Sequence, residues 1–215
     1  MKYPVFLQAL ALTIVVFLIG MYSGIVLEEN RLSEVNEYYI DSEVSLLDVL
    51  ALDSMVENTN VDCEDLKEAN SDLLDRVYSE ALLLEDYEKS GRVTNNLESF
   101  HKKYDILRTH LWVNAIKIKD VCEGDFNTVV YLYNGTIKDL TIKAEENVWS
   151  RVLRDLKDLE KERVFLIPID IGSDLVSLNS LIKNYEISRY PSVVVNEKDV
   201  VSELVGAEEL IGLLN

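Results

Sequence analysis

The stretch "YEISRYPSVVVNEKDVVSELVG", from Tyr185 to Gly206, carries the most specific pattern in the chain. An arginine, a tyrosine and a proline lead into a short β-branched run, a polar turn and a second apolar run. β-Branched residues favour strands, and a proline is tolerated at the first position of a strand. We therefore predict two strands, "SVVVN" and "VVSELVG", which the polar "EKD" joins as a hairpin.

The segments before this hairpin predict the rest of a sheet. "FNTVVYLY" (126–133) and "RVFLIPIDI" (163–171) are continuous apolar strands, as expected where both faces of a sheet are covered. A helix over 145–159 separates them, with Trp149, Val152, Leu153, Leu156 and Leu159 on one side. "DLVSLNSLIKNY" predicts a short helix, and "AEELIGLL" a last one. The predicted order is β-α-β-α-β-β-α.

This order over about ninety residues is similar to the thioredoxin fold. "YEISRYPSVVV" resembles the segment of that family in which a helix ends and an aromatic residue and a proline lead into a strand. The resemblance implies a cis Tyr190–Pro191 peptide bond. It also implies that the backbone beside Pro191, from Arg189 and Tyr190, pairs with an extended peptide, strand to strand.

The chain departs from the family at the reactive site. Redox-active members carry two cysteines after the first strand, where the following helix lowers a thiol pKa. The equivalent window "NGTIKD" (134–139) contains no sulfur, and Thr136 cannot replace a thiol because its hydroxyl has no base. The loop before the helix is also longer than in the family. We therefore expect no thiol oxidoreductase activity by the family mechanism.

The same window contains an N-x-T triplet at Asn134, Gly135 and Thr136. On an outward-facing domain this triplet is an acceptor for N-glycosylation. The dipeptide Asn-Gly is equally typical of a plain turn, so the two interpretations of Asn134 stay open.

The amino-terminal run from Val5 to Leu27 is uncharged and mostly apolar. At ~1.5 Å per residue it is long enough to cross a hydrocarbon layer of ~30 Å. Lys2 precedes it and an acidic segment follows, which predicts a cytoplasmic tip at 1–4 and a main body outside the cell membrane. A cleaved signal peptide is the alternative, against which the length of the run argues.

Two glycines lie four residues apart within this run. Gly20 and Gly24 form a GxxxG, which allows close approach of a second membrane helix. A homodimer through this motif is one interpretation, and the ordinary frequency of glycine in membrane helices is the other.

Residues 28–122 are acidic and have a helical period. We predict helices at 31–56, 64–89 and 94–121, with Asp62 and Thr94 as amino caps and "KSGRV" as the break between the last two. The apolar stripes contain Leu46, Leu47, Val49 and Leu50 in the first helix, Leu66, Leu73, Val77 and Leu84 in the second, and Phe100, Tyr104, Leu107, Leu111 and Ile118 in the third. These patterns predict a helical hairpin or bundle.

The only cysteines, Cys63 and Cys122, are 59 positions apart. Their midpoint lies in the predicted turn of the hairpin, so the two residues are expected to face each other at its open end. A disulfide is reasonable there, because the outward location is oxidising. Two buried, inert thiols are the alternative, and a noncanonical redox pair is a third interpretation.

The composition and the remaining residues limit the function. With 39 acidic and 21 basic residues the formal charge is −18, which disfavours binding to nucleic acid. His101 and His110 fall on opposite faces of one helix, so they do not predict a shared metal site. No phosphate-binding loop or hydrolase motif is present, and no cofactor is expected.

Together these observations predict an α plus α/β chain with four parts: a tip at 1–4, a transmembrane helix at 5–27, a helical hairpin or bundle at 28–122, and a thioredoxin-like domain at 123–215. The expected function is non-catalytic binding of a protein or peptide partner outside the membrane. The alternatives are a structural assembly subunit of a membrane complex, and a noncanonical thiol–disulfide enzyme that uses Cys63 and Cys122.

Overall fold

A computed structural model describes residues 3–58, 61–89, 97–122 and 126–214. These residues are mostly helical and include one small mixed sheet. The elements are α1 (Tyr3–Asn58), α2 (Cys63–Lys89), α3 (Leu97–Cys122), β1 (Asn127–Tyr133), α4 (Leu140–Glu160), β2 (Val164–Asp170), α5 (Val176–Asn184), β3 (Ser192–Val195), β4 (Asp199–Val201) and α6 (Ala207–Leu213).

Helix α1 is continuous over 56 residues. Its segment Phe6–Leu27 has a mean hydropathy of 2.5 and none of it is buried, so it is long and apolar enough to span a membrane. The predicted membrane segment and the predicted helix at 31–56 both lie within this one helix. The chain has no glycine or proline between residues 25 and 58, and therefore nothing there interrupts the helix.

The second half of α1 packs with α2 and α3 in one apolar cluster, which we call the bundle. The predicted stripes of α2 and α3 are buried at Leu66, Leu73, Val77, Leu84, Phe100, Tyr104, Leu107, Leu111 and Ile118. The predicted stripe of α1 was partly wrong, because Leu47 is 64% exposed while Val49, Leu52 and Val56 are buried. Adjacent apolar pairs cannot both face the core of a helix with a 3.6-residue period.

Polar contacts join the three helices as well. Glu80 on α2 accepts from the Ser45 hydroxyl of α1 at 2.6 Å and from the Tyr104 hydroxyl of α3 at 3.1 Å. The predicted amino cap of α2 is confirmed, since an Asp62 side-chain oxygen accepts from the Glu64 amide at 2.9 Å. The predicted turn before α3 and its cap Thr94 lie outside the described residues.

The sheet has the strand order β2-β1-β3-β4. Strand β2 is parallel to β1, whereas β3 is antiparallel to β1 and β4 is antiparallel to β3. The registers place Tyr131 opposite Pro168 on one side and opposite Val193 on the other. Strand β1 is therefore central, and β2 and β4 are the edges.

Helices cover both faces of this sheet. On one face, Trp112 of α3 and Leu178 of α5 pack against Val130, Leu132 and Val194. The cluster on the other face contains Val129, Tyr131, Val193 and Val195 of the sheet, Trp149, Leu153 and Leu156 of α4, and Leu210 of α6. This double cover explains why the strands are continuously apolar rather than alternating.

Two boundaries differ from the prediction. Helix α4 begins at Leu140 instead of 145, because the Asp139 side chain caps it by accepting from the amides of Thr141 and Ile142. Leu159 near its end is 61% exposed, so its predicted place on the apolar side was wrong. Strand β4 contains only Asp199–Val201, shorter than the predicted "VVSELVG".

Candidate functional site

The segment Arg189–Tyr190–Pro191, which we call the proline loop, connects α5 to β3. The chain leaves α5 through Glu186, whose φ is 53°, and is anchored by buried Ile187, whose amide donates to the Ile182 carbonyl at 3.0 Å. The Tyr190–Pro191 peptide bond is cis, as expected. Strand pairing begins directly afterwards, with Ser192 opposite Leu132 of β1.

The side chains of the proline loop differ in exposure. Arg189 is 57% exposed, and its guanidinium lies 3.7 Å from a carboxylate oxygen of Glu145 on α4. Tyr190 is half-buried against the α5 side of the sheet, and this burial raises the pKa of its hydroxyl. Pro191 and Ser192 are buried. The loop therefore offers one charged and one aromatic group to solvent.

The backbone of the proline loop is open. Among the residues that the structure describes, no hydrogen bond joins the backbone of Arg189 or Tyr190 to another group. The buried hydroxyl of Ser192 likewise has no hydrogen-bond partner within those residues. Backbone groups that are not paired within the fold remain free to pair with another chain.

The loop after β1 lies at the same end of the sheet. The Asn134 side-chain oxygen accepts from the Thr136 hydroxyl at 2.7 Å and from its amide at 3.2 Å, which makes a tight turn. Gly135 donates its amide to Asp170 at 3.1 Å. A turn thus exists at the triplet, and glycosylation of Asn134 stays a prediction.

Cys63 and Cys122 are bonded, as predicted. The sulfurs are 2.09 Å apart and the Cα atoms 5.5 Å apart, which places the bridge between the start of α2 and the end of α3. Both thiols of the chain are used in this bond. The bridge fixes the bundle at the point where the chain continues toward β1.

A buried carboxylate, which the sequence analysis did not single out, holds α3 to the end of β2. Asp105 is 2% exposed and accepts from the Asp170 amide at 3.0 Å and from the Ser173 hydroxyl. Burial raises the pKa of Asp105 to about 6, against the opposing effect of these hydrogen bonds and of Arg108. Only the tertiary contact distinguishes Asp105 from the many exposed acids of the chain.

A second polar network holds α3 to the turn between β3 and β4. Glu197 accepts from the Trp112 indole at 3.1 Å and from the Thr128 hydroxyl, and Asn196 accepts from the Thr128 amide at 3.1 Å. Asn196 and Glu197 have φ values of 49° and 57°, the left-handed pair that a tight hairpin turn requires. The bundle and the sheet are therefore fastened together at two points.

No cluster that could hold a metal ion is found in 3–58, 61–89, 97–122 and 126–214. Within these ranges, three or more histidine, cysteine, aspartate or glutamate side chains do not gather in a way that would hold a metal ion. Gly20 and Gly24 in the apolar segment have no neighbouring atom within 4 Å of an added Cβ, which leaves their face open.

Comparison with known proteins adds no assignment. A scan against protein-family models finds no match, and a search of curated proteins finds no significant relative.

Proposed function

We propose that this chain is a single-pass membrane protein whose thioredoxin-like part, without redox chemistry, binds a protein or peptide partner outside the membrane. The strand order β2-β1-β3-β4, with helices on both faces, supports the thioredoxin-like interpretation. The apolar segment Phe6–Leu27 supports the anchor.

The open backbone of Arg189 and Tyr190 is the observation that carries the proposal. An extended peptide pairs with such groups by main-chain hydrogen bonds, and side chains beside them supply selectivity. Tyrosine and arginine, together with tryptophan, are enriched among the residues that contribute most to binding at interfaces. Tyr190 would contact an apolar or aromatic side chain of the partner, and Arg189 a carboxylate in place of Glu145.

Two observations argue against a thiol–disulfide enzyme. The only cysteine pair joins the start of α2 to the end of α3 and is not in the loop after β1, where redox-active members carry theirs. By the resemblance to the thioredoxin family, the turn at Asn134–Thr136 is the equivalent of the reactive window opposite the proline loop. This turn contains no cysteine. Both cysteines therefore have a structural role in this proposal.

Photo-crosslinking in native membranes tests the proline loop. A crosslinking residue at Ser188, which is exposed, should capture a discrete partner from wild-type protein. Arg189→Ala combined with Tyr190→Ala should lower recovery of that partner about tenfold, equivalent to about 1.4 kcal/mol. Arg163→Ala, at a side chain that is 79% exposed, is the matched control.

Unchanged recovery in the Arg189 and Tyr190 variant would contradict binding at the proline loop. A partner whose recovery depends instead on the bundle would favour the alternative, a structural subunit of a membrane complex. Turnover of a model disulfide by the purified protein would favour the redox alternative.

A further inference from the structure

A groove of about 640 Å³ runs along β2 between α2 and α4. Its lining includes Tyr78 of α2, Arg108 of α3, Lys157 of α4, and Leu166 and Pro168 of β2. No residue of the proline loop lines it, so the groove is a separate surface. Strand β2 is an edge of the sheet, and its residues Leu166 and Pro168 line the groove together with Tyr131 and Tyr133 of β1.

The backbone of β2 shows which groups face the groove. The Val164 carbonyl accepts from the Lys157 ammonium at 2.9 Å, the Asp170 amide donates to Asp105 at 3.0 Å, and Pro168 has no N–H. Successive residues of a strand direct their backbone groups to opposite sides, so Val164, Leu166, Pro168 and Asp170 all face away from β1. Hydrogen bonds within the fold thus satisfy one backbone group at each end of this edge.

The middle of the same edge is left open. In the described part of the chain, no group outside the ladder bonds the amide or carbonyl of Leu166, or the carbonyl of Pro168. One donor and two acceptors therefore face the groove at strand spacing. An added strand pairs with this arrangement of groups.

The charged side chains that line the groove indicate what kind of peptide it would bind. The Arg108 side chain is 13% exposed, and its guanidinium lies 3.8 Å from Asp105, beyond hydrogen-bond distance. The oxygens of Asp105 already accept from the Asp170 amide and the Ser173 hydroxyl. The other carboxylates of the lining are those of Asp75 and Asp158, which are exposed, and of Glu146, which accepts from the Asn134 amide at 3.0 Å. The Arg108 guanidinium also hydrogen-bonds the Tyr133 hydroxyl. Because a guanidinium has five N–H donors, it keeps donors for a carboxylate from outside.

We infer that this groove binds an extended acidic peptide segment, which adds to β2 as a strand and places a carboxylate on Arg108. The Leu166 backbone supplies the main-chain pairing, and the exposed ring of Tyr78 contacts an apolar side chain of the peptide.

Peptide binding to the full chain in detergent tests the inference. The probe is a fluorescent, acetylated eight-residue peptide of alternating valine and threonine with one glutamate in the middle. Its affinity should be about tenfold higher than that of the same peptide with glutamine, one charge-assisted pair being the difference. Methylation of alternate peptide amides should abolish binding of the glutamate probe.

Two variants separate the charge from the groove. Arg108→Gln should make the glutamate and glutamine probes bind equally, whereas Arg151→Gln on the exposed side of α4 should preserve the tenfold ratio. Ser71→Trp, which fills the groove from α2, should abolish binding while Ser79→Trp, outside it, has no effect. If Arg108→Gln impairs folding, the Ser71 variant and the methylated probe still test whether a peptide strand binds in the groove.

Several results would overturn the inference. Absence of binding of the glutamate probe, or equal affinity of the two probes for wild-type protein, would contradict an acidic segment. Binding that tolerates amide methylation would indicate a carboxylate site without strand addition. A change of oligomeric mass in the Ser71 variant, without any probe binding, would indicate a second copy as the occupant.

Discussion

The ammonium of Lys119 lies 2.8 Å from the side-chain oxygen of Asn196, and this contact joins helix α3 to the turn between β3 and β4. The same ammonium lies 3.3 Å from Thr128 and 3.3 Å from Glu197, so one cation serves three partners. Lys119 is 19% exposed and Glu197 is 15% exposed. Hydrogen bonds to charged groups contribute most where water is excluded, and this contact therefore fixes the bundle on the sheet.

Replacement of Lys119 should loosen that junction. Lys119→Met leaves the Glu197 carboxylate without its cation, and we expect a loss of about 2 kcal/mol in the free energy of unfolding, measured by denaturant titration. Lys198→Met removes an exposed ammonium from the same turn and should change the stability little. Equal effects of the two substitutions would show that the Lys119 contact does not stabilise the junction.

The Cys63–Cys122 bond should make a large contribution to stability. It closes a loop with a sequence separation of 59, worth ~4 kcal/mol in the chain-entropy model and less where the unfolded state retains structure. Cys63→Ser with Cys122→Ser should lower the unfolding midpoint. Reductant should lower that of the wild type by a similar amount and leave the variant unchanged. A wild type insensitive to reductant would contradict a stabilising bond.

Asp105 predicts an unusual pH dependence. Its pKa is raised from 3.8 to about 6 in the folded state. Protonation therefore stabilises the fold, fully below pH 3.8, and this contribution disappears as the pH rises through about 6. Asp105→Asn does not titrate, so its stability relative to wild type should increase by up to about 3 kcal/mol between pH 4 and pH 7.

Denaturant titration across that pH range measures the unfolding free energy of the variant and of the wild type. The difference between the two removes the contribution of the other carboxylates, which both proteins share. Asp155→Asn, at an exposed position of α4, is the control and should show a difference that is nearly independent of pH. A stability difference between Asp105→Asn and wild type that does not change with pH would mean that burial does not destabilise this carboxylate.

The turn after β1 should not tolerate a side chain at Gly135. A Cβ there would lie 2.7 Å from Oδ2 of Asp170, whose other carboxylate oxygen, Oδ1, is held by the amides of Gly135 and Gly172. We expect Gly135→Ala to lower stability by about 1 to 3 kcal/mol, the range for overpacked sites. Gly206→Ala, with no atom within 4 Å, is the matched control, and equal thermal midpoints for the two variants would contradict this prediction.

The GxxxG spacing of Gly20 and Gly24 predicts self-association in the membrane. Gly20→Ile with Gly24→Ile should reduce energy transfer between labelled copies in vesicles, because the larger side chains keep the helices apart. Ala9→Ile with Ala11→Ile adds similar bulk elsewhere in the segment and serves as the control. Transfer that is weak in wild type, or equal in both variants, would argue against a dimer through this motif.

The sequence predicted those features that depend on local periodicity. The stripes of α2 and α3 follow a 3.6-residue period, and the cysteine pairing follows from equal distances to the hairpin turn. The stripe of α1 was harder to predict because it contains two pairs of adjacent apolar residues, Leu46 with Leu47 and Val49 with Leu50. Only some of these side chains can face the core at once, and Leu47 and Leu50 are exposed.

The polar contacts between the bundle and the sheet could not be predicted in this way. Asp105 lies in the charged segment "SFHKKYDILRTH", where nothing marks it as buried. The link from Lys119 to Asn196 joins residues 77 positions apart and depends on how a helix is placed over a sheet. The groove along β2 depends in addition on the separation of α2 and α4, which no local pattern encodes.

The continuity of α1 has a mechanical consequence. Leu27, at the end of the apolar segment, and Ser42, which is buried in the bundle, are 15 residues apart on one helix, or about 22 Å. Because the helix is continuous between these two residues, a rotation of the membrane segment about its own axis would also rotate the bundle. The bilayer would then determine not only where the sheet is held but also which way it points.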